Sequence, residues 1–155
     1  MYKIYCDMDG VLVDFEKGYY DLTGIHTKQF VKGDANFWAP VDKEGAEFWA
    51  TLPWMSDGQE LWQYIKKYKP YILSSPSQSQ TSRAGKEAWL KIHLQNSYKK
   101  AHFYPRHLKQ LFAEPDRILI DDLPNTIEEW NAKGGIGILH TSASNTIAQL
   151  KQLGL

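Results

Sequence analysis

Short apolar segments recur along the chain, and longer stretches with a helical pattern separate them. The segments are residues 3–6, 71–73, 117–120 and 136–140, with a weaker one at 101–104. Each is too short for a helix, and none alternates apolar with polar residues, which is typical of strands covered on both faces. The alternation of strand and helix therefore predicts an α/β fold with a parallel sheet flanked by helices.

Three helices are predicted between and after these strands. The first covers residues 81–94 and places small or apolar side chains near a period of 3.6 residues, at Ala84, Ala88, Leu90 or Trp89, and Leu94. The second covers residues 125–133, directly after a proline and before a pair of glycines. Ser142 or Ser144 caps a last helix that runs to Leu153.

Residues 15–56 are too long for a plain crossover between two strands, and they are rich in aromatic side chains. We interpret them as a small helical cap insert after the first strand. The length of 155 residues suits a single domain, 1–155, that carries this insert. The aromatic residues would form the core of the insert, or part of a binding pocket.

Composition excludes several classes of protein. The chain has 18 basic and 18 acidic side chains, so it has no general field that would hold nucleic acid or an anionic membrane. Cys6 is the only cysteine, which excludes an internal disulfide and favours the cytoplasm. No apolar run approaches the ~18 residues of a membrane span. We interpret the lysines at 66–69 and 99–100 as solvated helix ends.

Polar side chains stand where three of the predicted strands end. These residues are Asp7 and Asp9 after the first strand, Ser74 and Ser75 after the second, and Asp121 and Asp122 after the fourth. Because the carboxyl ends of parallel strands meet at one edge of a sheet, we expect these side chains to converge there. Such convergence points to a functional site.

Carboxylates that share one crevice repel each other unless a cation neutralises them. Oxygen ligands without cysteine or histidine favour Mg²⁺ over Zn²⁺. Two structural roles remain open for the same residues, because Asp9 with Gly10 could form a turn and the Asp121–Asp122 pair could cap the following helix.

Residues 7–15, which read Asp-Met-Asp-Gly-Val-Leu-Val-Asp-Phe, resemble the first motif of the haloacid dehalogenase (HAD) superfamily in its phosphatase form. Residues 71–74 resemble its second motif, and residues 118–122 its fourth. The third motif needs a basic residue before the last of these strands. Lys109 is our choice for it, and Arg106 is the alternative.

Within this superfamily the chain resembles the 5′(3′)-deoxyribonucleotidases, in the short form of bacteria and phages. The resemblance covers nearly the whole chain and includes residues 37–38, 48–49, 52–53, 74–76 and 86–90, with Trp130 and the pair 134–135 near the end. One departure is Gln78, which stands where the family would have a basic residue.

The resemblance implies a HAD-like Rossmannoid sheet with a small cap. It also implies a Mg²⁺-dependent phosphomonoesterase that acts on (deoxy)nucleoside monophosphates through an aspartyl-phosphate. Asp7 would be the nucleophile and Asp9 the general acid and base. Ser74 would donate a hydrogen bond to a phosphoryl oxygen, and Lys109 would offset the negative charge between the nucleophile and the phosphate.

The family pattern also implies ligands. The Asp7 carboxylate, the Asp9 main-chain carbonyl and Asp122 would hold Mg²⁺ directly, and Asp121 would lie behind them. Substrate would contact Ser75 and the aromatic residues Phe15, Phe37 and Trp38.

Other functions stay open at this stage. The enzyme could act on another small phosphomonoester or on a nucleic-acid 3′-phosphate. A receiver-like signalling module groups similar residues around Mg²⁺, and a catalytically inactive HAD-like binding protein would keep the fold. We expect a small phosphorylated substrate, no membrane partner and no stable nucleic-acid partner; a homodimer is left open by the resemblance.

Overall fold

The structure, a computed structural model, describes residues 1–155 and contains one parallel sheet of five strands. The strands are β1 (Lys3–Cys6), β2 (Tyr71–Ser74), β3 (Ala101–Phe103), β4 (Arg117–Asp121) and β5 (Ile136–Leu139). Their order in the sheet is β3-β2-β1-β4-β5, and every neighbouring pair is parallel. The predicted α/β fold is confirmed.

Seven α-helices accompany the sheet. They are α1 (Phe15–Thr23), α2 (Ala39–Glu44), α3 (Ala46–Ala50), α4 (Gly58–Ile65), α5 (Gln80–His93), α6 (Pro124–Ala132) and α7 (Ala143–Gln152). Short 3₁₀ helices cover Thr27–Gln29, Lys66–Tyr68 and Arg106–Phe112. No helix is both long and apolar enough to cross a membrane.

Local side chains set where several helices begin. Ser79 accepts a hydrogen bond from Thr81 N at the start of α5, and Ser142 accepts one from Asn145 N at the start of α7. Of the two proposed caps for α7, Ser142 is therefore the one used, and Ser144 lies inside the helix. Pro124 is the first residue of α6, where a missing N–H costs nothing.

The central strands are covered on both faces. Ile4, Tyr5 and Cys6 of β1 are all buried, although their side chains alternate between the two faces. One core cluster consists of Tyr5, Leu73, Leu119, Ile127 and Trp130. Cys6 pairs in register with Ile72 of β2 and with Ile120 of β4, which fixes β1 in the middle of the sheet.

The buried face of α5 agrees with the predicted one at Trp89 and Leu90 and differs from it elsewhere. Ala84 is exposed, and the side chains that the helix buries are Ser82, Gly85, Lys86, Trp89 and Leu90. A Cβ at position 85 would overlap with the carbonyl oxygen of Ala46 in α3. The prediction followed apolar residues, whereas the close approach of two helices selects a glycine at this position.

The contacts divide the chain into two compact units. The first contains residues 1–13, 54–75 and 96–155, and therefore the whole sheet. The second contains residues 14–53 and 76–95, and therefore α5 together with the helices before α4. The interpretation of residues 15–56 as an insert in a single domain stays a prediction.

Candidate active site

The carboxyl end of β1 brings the predicted acidic residues together in the first unit. Asp7 directly follows β1, and its main-chain N–H donates to the carbonyl of Ile120 in β4 at 3.0 Å. Asp121 is the last residue of β4, and Asp122 follows it. Since β1 lies between β2 and β4, this is the edge where an α/β sheet places its ligands.

A tight loop follows Asp7. The carbonyl oxygen of Met8 accepts hydrogen bonds from the main-chain N–H groups of Val11, Leu12 and Val13, at 2.9 to 3.1 Å. Gly10 has φ +81° in this loop, a conformation that L side chains rarely adopt. The three apolar residues of the loop are fully buried, so the segment that carries Asp7 and Asp9 is anchored in the core.

Lys109 is a buried cation between two aspartates. Its Nζ lies 2.8 Å from Asp121 Oδ2 and 3.1 Å from Asp7 Oδ1, and its side chain is 2% exposed. Asp121 is held from a second direction, because its Oδ1 accepts a hydrogen bond from Leu123 N at 3.0 Å. Lys109 thus contacts both carboxylates and fixes their orientation.

Burial and charge act against each other on these groups. Burial favours a lower pKa for Lys109, but the carboxylates of Asp7 and Asp121 outweigh it and raise the pKa above the usual range. The ammonium is therefore charged at any pH at which the protein would work. Burial raises the pKa of Asp121, and contact with Lys109 opposes this shift.

Asp122 completes a group of three carboxylates. Side-chain oxygens of Asp7, Asp121 and Asp122 lie within 4.8 Å of one another. Burial, followed by repulsion from Asp7, raises the pKa of Asp122 to about 6. One lysine therefore does not neutralise the group, and the donor set of hard oxygens fits a divalent cation such as Mg²⁺.

Ser74, Ser75 and Asp9 belong to the same unit as these carboxylates. Ser74 is the last residue of β2 and is fully buried, and its carbonyl oxygen accepts a hydrogen bond from Tyr104 N at 3.1 Å. Ser75 and Asp9 are half-buried. The roles assigned to these three residues stay predictions.

Arg106, the alternative to Lys109, lies elsewhere. Its guanidinium is 3.1 Å from Glu129 of α6 and 3.4 Å from the hydroxyl of Thr126. The structure therefore brings Lys109 to the aspartates and uses Arg106 to tie the 3₁₀ helix Arg106–Phe112 to α6.

The aromatic residues predicted to bind substrate form part of a cluster inside the second unit. The ring centroid of Phe15 lies 6.3 Å from that of Phe37 and 5.8 Å from that of Trp38. The hydroxyl of Tyr19 donates to the carbonyl of Phe37 at 2.7 Å, which fixes the cluster. Trp38 is 40% exposed and lines a cavity of about 400 Å³ together with Phe37.

Lys86 is a buried cation that the sequence analysis did not predict. This residue is 1% exposed, and its Nζ lies 5.2 Å from the ring centroid of Trp49, within the second unit. Its burial could have been predicted from its position on α5, because Ser82 and Trp89 lie one turn away on the same face of the helix.

Comparison with known proteins gives structural but no sequence matches. No protein-family model matches this chain, and no curated protein sequence matches it.

The chain does resemble solved structures over nearly its whole length. A hydrolase from Streptococcus pneumoniae TIGR4 has a TM-score of 0.59 at 16% identity, covering 97% of this chain and 98% of that one. A putative beta-phosphoglucomutase from Thermotoga maritima has a TM-score of 0.60 at 16% identity, with 99% and 100% covered. A HAD-superfamily hydrolase from Ehrlichia chaffeensis has a TM-score of 0.55 at 9% identity, with both chains fully covered. These similarities show that the chain has the fold of HAD-superfamily hydrolases.

Proposed function

We propose that the protein is a Mg²⁺-dependent phosphomonoesterase that hydrolyses (deoxy)nucleoside monophosphates through an aspartyl-phosphate. The observation that carries this proposal is the buried contact of Lys109 with Asp7 and Asp121, beside Asp122, at the carboxyl edge of a HAD-like sheet. The same first motif that resembles HAD phosphatases supplies Asp7 and Asp9.

The residues fit a Mg²⁺ site. Three carboxylates share one crevice, and only one cation, Lys109, lies among them. Asp7 and Asp122 would bind the ion through their carboxylates, the main-chain carbonyl of Asp9 would complete the protein ligands, and Asp121 would stay with Lys109. When bound, Mg²⁺ supplies positive charge that draws the substrate phosphate to Asp7 and stabilises the oxygens of the transition state.

Asp7 is suited to act as the nucleophile. Lys109 holds Oδ1, which orients the carboxylate towards a phosphate at the sheet edge. Attack of a carboxylate oxygen on phosphorus forms the aspartyl-phosphate as the bond between phosphorus and the ester oxygen breaks. Water then attacks the phosphorus, and Asp7 is released as a carboxylate with inorganic phosphate.

Proton transfer falls to Asp9. It would give its proton to the leaving ester oxygen in the first step and take one from the attacking water in the second. Such a group typically contributes ~10² to 10⁴ in rate. The Lys109 ammonium and the hydroxyl of Ser74 would stabilise the negative charge of the phosphoryl oxygens, without themselves losing or gaining a proton.

The direct test is phosphate release from a panel of deoxy- and ribonucleoside 5′- and 3′-monophosphates, sugar phosphates and a 3′-phosphorylated oligonucleotide, with Mg²⁺ and with EDTA. We expect Mg²⁺-dependent release that is highest on deoxynucleotides and disappears in Asp7→Asn. Asp116→Asn is the matched control, because Asp116 is a half-exposed aspartate of the same unit whose only ion pair is with Lys3.

Each other result has a definite meaning. Release from sugar phosphates alone, or from the 3′-phosphorylated oligonucleotide alone, would keep the chemistry and replace the substrate. No release from any ester, or equal release by Asp7→Asn, would contradict the phosphatase and favour a signalling or binding protein with this fold.

The choice of a nucleotide depends on the aromatic residues of the second unit. A flat ring stacks on any base for ~1 to 3 kcal/mol, and Trp38 is an exposed aromatic residue. Trp38→Ala should therefore lower kcat/KM on nucleotides and leave that on a sugar phosphate unchanged. An equal loss on both substrates would assign Trp38 to packing. The cytoplasmic location stays a prediction, and the oligomeric state stays open.

A further inference from the structure

Six exposed lysines belong to elements at the amino-terminal end of the strands, in the first unit. They are Lys66, Lys67, Lys69, Lys99, Lys100 and Lys151, and we call them the basic edge. The first three lie between α4 and β2, the next two directly precede β3, and the last is near the end of α7. Lys99 N donates to the carbonyl of Pro70 at 2.8 Å, which joins the first two segments.

None of these six ammonium groups has a carboxylate within ion-pair distance. The acidic residue that neighbours this end of β1, Asp116, pairs instead with Lys3 at 3.6 Å. The whole chain has equal numbers of basic and acidic side chains, so this concentration of unpaired charge leaves the remainder acidic. A local positive potential of this kind attracts polyanions.

Tyrosine rings are interleaved with the lysines. Lys67 Nζ lies 5.0 Å from the ring centroid of Tyr64 and 5.1 Å from that of Tyr68. Lys99 Nζ lies 5.4 Å from the ring centroid of Tyr71. The three tyrosines are half-buried, but the ring of Tyr71 stacks on that of Tyr5, with 4.7 Å between the centroids. Tyr64 is fixed because its hydroxyl donates to a main-chain oxygen of Leu155 at 2.9 Å.

We propose that the basic edge binds single-stranded nucleic acid, with the lysines on phosphates and the rings of Tyr64 and Tyr68 on bases. Lysines alone would bind any polyanion, but rings spaced among them match the alternation of phosphate and base along a strand. In a duplex the bases are paired and stacked, so the rings would contribute nothing. This revises the interpretation of these lysines as merely solvated helix ends.

An anionic membrane fits the same charge less well. A helix that lies on a membrane buries an apolar face among the lipids. The apolar residues of α4, which precedes the basic edge, are Leu61, Trp62 and Ile65, and all three are buried within the unit. The basic edge is also at the end of β2 opposite to Ser74, so the proposal does not depend on the phosphatase activity.

The test is the binding of a fluorescein-labelled oligothymidylate by the full chain, measured by anisotropy at several salt concentrations. The double variant Lys67→Gln, Lys99→Gln removes two charges from the basic edge, and Lys28→Gln, Lys43→Gln removes two exposed charges from the second unit as a control. A plot of the logarithm of the binding constant against the logarithm of the salt concentration has a negative slope. We expect this slope to become shallower by about 1.4 in the first variant only.

A second pair of variants tests the rings. Tyr68→Ala should weaken binding about fivefold or more, whereas Tyr68→Phe keeps the ring and should bind as the unchanged protein does. Circular dichroism melts serve to check that each variant is folded.

Four results would overturn the proposal. They are no binding at low salt, equal losses in both double variants, binding of a duplex as tight as that of the single strand, and binding only to vesicles of phosphatidylcholine and phosphatidylserine. The last result would assign the basic edge to membranes.

Discussion

The carboxylate of Asp122 lies against the Cα of Gly10, in the space that a Cβ at position 10 would occupy. The loop after β1 and the end of β4 therefore meet where only glycine fits. Its φ of +81° adds a second reason for glycine, because an L residue is strained there. Gly10 thus allows Asp122 to approach Asp7.

Gly10→Ala should displace Asp122 and disrupt the carboxylate group. We expect loss of the Mg²⁺-induced rise in Tm and a fall in phosphate release of at least about tenfold, since a small misplacement at a site has large effects on rate. The control is Gly33→Ala, because Gly33 has φ +86° and, its chain neighbours aside, no atom lies within 4 Å of the place a Cβ would take. Both variants carry a backbone strain of about 1 to 2 kcal/mol, so strain alone does not distinguish them, whereas the Mg²⁺ response and the phosphate release do. A normal response in Gly10→Ala would contradict this role.

Lys109→Met should destabilise the protein strongly. It leaves Asp7 and Asp121 buried without their cation, and breaking a buried pair in this way costs about 3 to 5 kcal/mol. Arg106→Met removes a partly exposed pair with Glu129 and should cost about 1 kcal/mol or less. Urea unfolding in EDTA measures both. Similar losses in the two variants would show that Lys109 contributes no more than a surface cation.

The sequence predicted the sheet well because the signal is local. The bounds of β1 agree with the predicted segment, and apolar runs followed by aspartate placed Asp7 and Asp121 at the same edge. Lys109 was one of two candidates, because the position of a basic residue before a strand does not indicate which carboxylate it contacts. The contact between Gly10 and Asp122 joins residues far apart in the chain, and no local pattern indicates it.

The assignment of residues 76–95 to the second unit also depends on distant contacts. Gly85 meets Ala46 and Trp49 of α3, and Trp89 donates its indole N–H to the carbonyl of Leu52 at 2.9 Å. The position of α5 between β2 and β3 in the sequence indicates only that it connects two strands. Close packing decides which neighbour the glycine face of α5 contacts. The periodicity of apolar residues does not indicate that neighbour.

Asp122→Asn should stabilise the protein in EDTA at pH 7. The pKa of Asp122 is raised from 3.8 to about 6 by burial and by Asp7, so between these values the folded state binds more protons than the unfolded state. The contribution of Asp122 to the free energy of unfolding therefore falls as pH rises from 3.8 to about 6. Above this range the buried charge of Asp122 destabilises the fold. Differential scanning fluorimetry should show a higher Tm for the variant at pH 7 and no difference near pH 4.

Mg²⁺ should reverse this order. The ion stabilises the unchanged protein by binding its folded state, whereas Asp122→Asn has lost one ligand and should gain little. Asp116→Asn is the control and should respond to Mg²⁺ as the unchanged protein does. An equal gain of Tm in all three proteins would exclude Asp122 as a ligand.

His140 should make stability depend on pH. It is 6% exposed, its Nδ1 lies 2.7 Å from the hydroxyl of Thr146, and burial lowers its pKa below 6.5, with Asp57 opposing the shift. Below pH 6.5 the unfolded state therefore binds more protons at this position than the folded state. The contribution of His140 to the free energy of unfolding is fully present above pH 6.5. It is lost as the pH falls towards the pKa of His140 in the folded state.

His140→Gln removes this titration. We expect the free energy of urea unfolding to fall less steeply between pH 7 and 5 in the variant, by at most about 1.4 kcal/mol per pH unit, the value for one proton. At pH 7 the variant should be less stable by about 1 kcal/mol, because the contact with Thr146 is altered. His107→Gln, which changes an exposed histidine, is the reference. If His140→Gln and His107→Gln gave the same profile, protonation of His140 would not be what weakens the fold in acid.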